Sequence, residues 1–320
     1  MGMRSIVIGL LAASCALAAG WTPVETEGAP LARHECAFIE AGGKLYLIGG
    51  RGEKPVNVYD PKTNRWSEAA APPLEIHHFQ PVVYEGKIYV MGALTGKYPH
   101  ETPVEDVLIF DPKANRWSHG PAIPADRRRG AAGVAVHKGK IYMLDGIQDG
   151  HWDGHVAWFD AFDPKTGAWT KLPDAPRPRD HFQAVAIGDK LYAAGGRRSS
   201  AKTGDTFKLS VGEVDVFDFT SGRWTTAKEK IPTERAGCFA TDWKGRVLVI
   251  GGESGAQEAA HSQVEAFDPK TGQWTAMPSL AQGRHGTGVA EHGGKLWVAA
   301  GSANRGGGPE LTTLEVWDGR

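Results

Sequence analysis

The sequence contains few cysteines and almost no excess of charge of either sign. Only three of its 320 residues are cysteine, and 36 lysines and arginines stand against 37 aspartates and glutamates, which gives a formal net charge of −1. Without a net positive charge, the chain lacks the overall field that attracts nucleic acids or anionic membranes. We therefore expect no nucleic-acid partner.

Long hydrophobic runs are also missing, apart from one near the N-terminus. Arg4 precedes an apolar stretch over residues 6–17, and residues 16–18 have the A-x-A form of a cleavage site. The stretch is too short for a comfortable membrane span. We interpret residues 1–18 as a Sec-type signal peptide and expect a periplasmic or secreted protein. A lipoprotein anchored through Cys15 is the alternative.

What the sequence does contain is one motif that recurs about every 50 residues. It is an aspartate followed six residues later by a tryptophan, and it occurs as Asp60–Trp66, Asp111–Trp117, Asp163–Trp169, Asp218–Trp224 and Asp268–Trp274. A sixth copy stops at Asp318 without its tryptophan, while an unmatched Trp21 lies near the other end of the chain. Repeats of this length indicate stacked or circular modules. The part missing at one end and present at the other indicates a closed circle.

Each repeat carries the pattern of four antiparallel strands. In the first copy, an apolar segment over 33–39, a glycine hairpin, an apolar strand over 45–48 and an alternating strand over 56–59 precede Trp66, which opens the fourth strand. The position four residues after each aspartate holds Asn or Gly, which tolerate the left-handed backbone conformation of a bulged turn. Four strands in each of six modules predict an all-β, six-bladed β-propeller over residues 19–320 as a single domain.

These residues resemble the Kelch repeat, which combines an opening arginine, a Gly-Gly pair after an apolar strand and a Tyr/Phe-Asp-Pro ending before the tryptophan. The arginine recurs as Arg33, Arg129, Arg179, Arg235 and Arg284. The resemblance covers about residues 20–320, and the chain is similar to Kelch propellers of the exported bacterial type. It implies that an N-terminal strand bearing Trp21 completes the last blade and closes the ring.

The two cysteines beyond the predicted signal peptide, Cys36 and Cys238, occupy equivalent places in repeats one and five. Equivalent positions in blades that are not adjacent lie too far apart for a disulfide. We therefore expect two buried free thiols, although export would permit a disulfide.

Strand direction predicts where a site would lie. The openings of the first strands and the loops between second and third strands share one face, which we call the top face, and the tight turns share the other. The top-face loops are the longest and most varied, and function concentrates on such loops. Because Arg and His crowd the predicted mouth, we expect it to be locally cationic and to bind a small anionic ligand, such as an acidic saccharide, or a protein partner. The candidate ligand-binding residues are His34, Glu35, His77, His78, Arg129, Arg179, His181, Arg235, Arg284, His285, Trp152 and Arg197.

Several of the opening arginines could instead support the blades, since they belong to the repeat itself. The residue two positions later is more informative because its identity changes between blades: Glu35, His78, Ala131, His181, Gly237 and Gly286. We expect a monomer without a cofactor. The alternative is a metal site in the His151-x-Asp153-x-His155 triplet, whose side chains would point the same way in an extended segment.

Two enzymatic alternatives follow from resemblance. The periplasmic sialic acid epimerases (sialate mutarotases) are similar exported Kelch propellers. That resemblance implies Glu253, directly after Gly251-Gly252, as an acid–base for ring opening, with an arginine such as Arg284 holding the carboxylate. Galactose oxidase also has Kelch-like blades, but the chain has no Tyr-His pair and no cysteine on a matching motif.

Overall fold

The structure, a computed structural model, describes residues 20–320. The predicted signal peptide and Cys15 lie outside the described residues. The strands, in chain order, are β1 Thr22–Pro23, β2 Cys36–Ala41, β3 Lys44–Gly49, β4 Val56–Asp60, β5 Arg65–Ala69, β6 Val82–Tyr84, β7 Lys87–Val90, β8 Leu94–Thr95, β9 Thr102–Pro103, β10 Asp106–Asp111, β11 Arg116–Ala122, β12 Gly133–His137, β13 Lys140–Leu144, β14 Ile147–Asp149, β15 Asp153–His155, β16 Phe159–Asp163, β17 Ala168–Leu172, β18 Ala184–Ile187, β19 Lys190–Ala193, β20 Asp215–Asp218, β21 Arg223–Thr226, β22 Phe239–Trp243, β23 Arg246–Ile250, β24 Val264–Asp268, β25 Gln273–Met277, β26 Val289–His292, β27 Lys295–Ala299 and β28 Leu314–Trp317. Two short 3-10 helices cover Ala125–Arg127 and Ala201–Thr203.

These strands form six four-stranded antiparallel sheets. Blade 1 is β2–β5, blade 2 is β6, β7, β10 and β11, blade 3 is β12, β13, β16 and β17, blade 4 is β18–β21, blade 5 is β22–β25, and blade 6 is β26, β27, β28 and β1. The first strands of successive blades contact one another around a closed circle, with β2 beside both β6 and β26. The predicted all-β, six-bladed propeller is confirmed.

The N-terminal strand closes the ring as predicted. Strand β1 pairs antiparallel with β28, with Thr22 opposite Val316. The side chain of Trp21 is only 6% exposed and its ring lies 6.1 Å from that of Trp317. Trp21 therefore fills the place of the repeat tryptophan that the sixth copy lacks.

The five repeat tryptophans link neighbouring strands, and three of them, Trp117, Trp169 and Trp224, also bond the preceding blade. Each lies directly across from the aromatic residue that precedes the motif aspartate, as Phe162 lies across from Trp169, with ring centroids 4.9 Å apart. The indole nitrogen of Trp169 donates to the carbonyl of Ala122 in the preceding blade. The motif is thus a packing device, and it explains why the repeats are so regular.

The motif aspartate shapes the turn that precedes each tryptophan. Asp60 accepts a hydrogen bond from the backbone of Lys62 through its carboxylate and from the backbone of Asn64 through its carbonyl. Asn64 has the predicted left-handed conformation, with φ of +57°. The short, uniform turns of the bottom face follow from this arrangement.

The two cysteines of the described chain are free and buried, as the sequence predicts. Burial raises the pKa of the Cys36 thiol to about 11. Within residues 20–320, no helix is long and apolar enough to cross a membrane.

Candidate functional site

The openings of the six first strands form a ring of backbone hydrogen bonds around the propeller axis. Its members are Glu35, His78, Ala131, His181, Gly237 and Gly286, all with φ between +50° and +63°. From His78 onward, each amide donates to the carbonyl of the preceding member at 2.7–3.0 Å, and the Cys36 amide closes the ring on Gly286 at 3.1 Å. These are the six variable positions that the sequence singled out. The six residues surround a narrow neck of the axial channel.

A cavity of about 540 Å³ lies above this ring on the top face. Its volume is in the range of sites for small organic ligands, about 300–1,000 Å³. The cavity is lined by His34, Glu35, Arg51, Glu75, Gly96, Lys97, Tyr98, His151, Phe207, Glu253, Gly306 and Gly307. The structure therefore brings the adjacent residues His34 and Glu35 together with Glu253, which lies more than 200 residues later in the sequence.

The opening arginines are placed differently from what the ligand-binding hypothesis requires. Arg129, Arg179, Arg235 and Arg284 are fully buried inside their own blades, away from the cavity lining. Each donates to main-chain carbonyls and to a carboxylate on the third strand of its blade; the acceptors are Asp160, Asp215, Glu265 and Glu315. Their placement supports the alternative reading, in which they hold the blade together, and we leave them out of the proposed site.

The mouth is consequently not cationic, which corrects the expectation from sequence. The cavity wall contains two cationic side chains, Arg51 and Lys97, and three acidic ones, Glu35, Glu75 and Glu253. The expectation failed because four of the five repeat arginines, counted there as free charge, are paired with buried acids within the blades, and the fifth, Arg33, is buried against Asn57.

One wall of the cavity is an acidic cluster around Glu253. Its carboxylate accepts hydrogen bonds from Arg197 at 2.5 Å and from the Gly306 amide at 2.8 Å. His285 lies between two carboxylates, 3.4 Å from Glu253 and 3.5 Å from Glu35. Burial would raise the pKa of Glu253, but His285 and Arg197 outweigh it and lower that pKa to about 2. Glu253 is therefore ionised at neutral pH.

The opposite wall and the neck contain buried histidines. The rings of His78, His151 and His181 lie with centroids 4.6–5.0 Å apart, and His77 packs on His78 at 4.7 Å. Burial and the nearby Arg197 lower the pKa of His181 to about 4, against the opposing effect of Asp180. Burial and His77 likewise hold the pKa of His78 well below its usual range.

The predicted metal triplet does not converge. Of its three residues only His151 points to the axis; Asp153 pairs with exposed Lys202 at 2.8 Å, and His155 bonds the Ser199 carbonyl at 2.5 Å. The reason is that residues 147–155 form a tight hairpin, β14–β15, rather than one extended segment. Trp152, at the tip of this hairpin, packs against His100 with ring centroids 4.7 Å apart and lies outside the cavity lining.

Sequence reasoning missed four side chains of the cavity wall: Arg51, Glu75, Lys97 and Phe207. Arg51 occupies the position directly after a Gly-Gly pair, and Arg197 and Glu253 occupy the same position in their repeats. Comparing that position across repeats would have identified Arg51. Glu101 is buried between Arg51 and His151, and Phe207 comes from a loop without repeat signature, so neither had a sequence signal beyond its loop.

Comparisons with known proteins agree with this architecture. The family profile described as the KLHDC2/KLHL20/DRC7 Kelch-repeats domain matches residues 17–196 and 161–307. The Kelch-like protein terF of Aspergillus terreus is 27% identical over 93% of this chain and 70% of its own length. Kelch-like protein 25 of Xenopus tropicalis is 27% identical over 78% of this chain and 42% of its own length.

A solved structure titled "Structure of YjhT" superimposes with a TM-score of 0.75 at 18% identity. The match covers 90% of this chain and 95% of that one. At this identity the likeness concerns the fold alone. Because the family profile spans most of the sequence, this chain belongs to the Kelch-repeat family.

Proposed function

We propose that this protein binds a small hydroxylated ligand carrying one acidic group, such as an acidic saccharide, in the top-face cavity. The observation that carries the proposal is the composition of the cavity wall. It combines three carboxylates, two cationic side chains and two aromatic rings in a volume suited to a small molecule. A wall of this kind recognises hydroxyl groups and an acid together, rather than an anion alone.

Each group in the wall has a chemical counterpart in such a ligand. The carboxylate of Glu35 would accept hydrogen bonds from hydroxyls, and Glu253 would do so through the lone pairs that Arg197 and Gly306 leave free. Ionised acceptors make the stronger bonds. Arg51 and Lys97 would meet the acidic group. Tyr98, which is 55% exposed, and Phe207 present apolar faces on which a sugar ring can pack.

A sugar epimerase or mutarotase with Glu253 as the acid–base is the alternative. Glu253 does line the cavity, but its low pKa makes it a poor proton donor at neutral pH. Arg284, which that resemblance would assign to the substrate carboxylate, is buried against Glu315. Binding without chemistry is therefore the better supported function.

A thermal-shift screen against acidic and neutral sugars tests the proposal, followed by calorimetry on the best ligand. A ligand that binds only the folded state raises the melting temperature. We expect Tyr98→Ala to weaken binding at least tenfold and to leave the melting temperature unchanged, because its ring is exposed. The matched control is His100→Ala on the same loop, which is exposed and outside the cavity lining.

The possible results separate the alternatives. Acceleration of anomer exchange, measured by NMR and abolished in Glu253→Gln, would favour the enzyme. If no sugar stabilises the protein, the small-ligand proposal is wrong and a protein partner at the same face becomes the preferred function.

We also propose, from the signal-peptide pattern of residues 1–18, that the protein is exported and acts in the periplasm or outside the cell. N-terminal sequencing of protein recovered from that compartment should begin at residue 19 or 20. A lipid-modified Cys15 at the N-terminus would instead support the anchored form.

A further inference from the structure

Three histidines from three blades meet at the neck of the channel. His78 opens the first strand of blade 2, His181 opens that of blade 4, and His151 reaches in from the top hairpin of blade 3. All three are buried, and one ring nitrogen from each lies within 4.8 Å of the others. The Nε2 atoms of His151 and His181 are only 3.0 Å apart.

The outer nitrogens of two of these rings are held by carboxylates. Nδ1 of His151 lies 2.9 Å from Glu101, and Nδ1 of His181 lies 2.5 Å from Asp180. An ionised carboxylate only accepts hydrogen bonds, so each Nδ1 carries the proton and each Nε2 presents a lone pair. Two lone pairs facing each other at 3.0 Å repel unless a positive centre lies between them.

His78, the third histidine, is held in the same tautomer by its neighbour His77. His77 donates from Nε2 to the Gly96 carbonyl at 3.1 Å, so its Nδ1 is an acceptor. That acceptor lies 2.6 Å from Nδ1 of His78, which must therefore donate. Nε2 of His78 is left as a lone pair, buried and without a hydrogen-bond partner among residues 20–320. A proton shared by His151 and His181 would leave this atom unsatisfied.

We propose that His78, His151 and His181 bind a divalent transition metal ion through their Nε2 atoms, with zinc the best match. Neutral imidazole is a preferred ligand of zinc, and bonds of about 2.0–2.1 Å in a tetrahedral site place the nitrogens about 3.3 Å apart. Histidines whose other nitrogen donates to a carboxylate are typical of such sites. Glu35 lies 3.3 Å from Nε2 of His78 and also lines the cavity, so the fourth position faces the space above the ring.

This site differs from the two other clusters that contain potential ligands. The sequence triplet contributes His151 only. In the cluster of Glu35, Glu253 and His285, the Glu253 oxygens are engaged by Arg197 and Gly306, and Nε2 of His285 contacts the Asn304 carbonyl at 2.9 Å. Of these clusters within residues 20–320, the three histidines are the ones that present converging lone pairs.

Metal analysis of the full chain tests the proposal. The protein is stripped with a chelator, incubated with zinc or cobalt, dialysed and measured by inductively coupled plasma mass spectrometry. We expect about one zinc ion per chain, and visible cobalt absorption typical of tetrahedral coordination. His151→Ala and His181→Ala should each abolish stoichiometric binding. The control Asp153→Asn, which alters the sequence triplet but not the three-blade site, should bind as the wild type does.

A second measurement keeps the test decisive if a histidine variant fails to fold. Zinc, but not magnesium, should raise the melting temperature of the stripped wild type by several degrees. Glu101→Gln, which removes the charge that orients His151, should weaken zinc affinity about 10- to 100-fold while the stoichiometry at saturation stays the same. Absence of zinc binding by the wild type, or loss of binding in Asp153→Asn, would overturn the proposal.

Discussion

At the scale of single residues, buried arginines of this protein are paired with carboxylates in the same blade. Four of the five opening arginines bond third-strand acids inside their blades, and Arg33 bonds Asn57 instead. Arg51 and Arg197, which follow glycine pairs, reach the top face. The same side chain thus has two roles that depend only on its place in the repeat. Burying such a pair is costly, and removing one partner leaves the other charge without compensation.

Arg179→Ala should therefore lower the free energy of unfolding by about 3–5 kcal/mol, since it strands Asp215 in the blade. Urea unfolding followed by fluorescence measures this change. The control Arg198→Ala removes an exposed arginine of the same blade and should stay within about 0.5 kcal/mol of the wild type. Equal stability of both variants would show that Arg179 does not hold the blade together.

At the scale of elements, blades 1, 4 and 5 each contact the next blade through the glycine pair at the end of their second strand. Gly252 donates to the Arg284 carbonyl of the following blade at 2.8 Å. A Cβ atom on Gly251 would lie 2.3 Å from that same oxygen. Glycine is required there because two backbones approach each other, in addition to the φ of +59°.

A pair of substitutions separates close approach from backbone conformation. Gly251→Ala and Gly272→Ala place alanine at similar positive φ values, +59° and +70°, but a Cβ at Gly272 has no neighbour within 4 Å. Backbone strain should lower the free energy of unfolding of both variants by about 1–2 kcal/mol. Overpacking should lower that of Gly251→Ala by about 1–3 kcal/mol more. Thermal and urea unfolding give both values. Equal losses of stability in the two variants would mean that the contact between the blades accommodates the added methyl group without cost.

At the scale of the whole molecule, closure of the ring depends on a two-residue strand and one buried tryptophan. Strand β1 supplies the outer edge of blade 6, and Trp21 packs against Trp317 in a cluster that also contains Trp243. The first and last parts of the chain are thereby joined, so that no blade is left with an open side. The rigid ring in turn holds the top-face residues at fixed distances.

Trp21→Ala should lower the free energy of unfolding by about 3–5 kcal/mol, because it removes a large side chain from a packed cluster. The matched substitution Thr22→Ala, on the exposed side of β1, should be nearly neutral. Differential scanning calorimetry compares the two. A Trp21→Ala protein as stable as the wild type would refute the role of this strand in closure.

The sequence alone determined the fold: the spacing of Asp and Trp counted the blades, and the displaced Trp21 showed where the ring closes. These are local and repeated signals, in which each repeat confirms the others. It also identified the six positions of the axial ring, because a site that varies within a regular repeat stands out. Only the tertiary structure decided which side chains form the site, since His78, His151 and His181 are 30 or more residues apart and share no motif. Whether an arginine faces the cavity or a buried acid depends on partners brought together by the ring, and that information is absent from any single stretch of sequence.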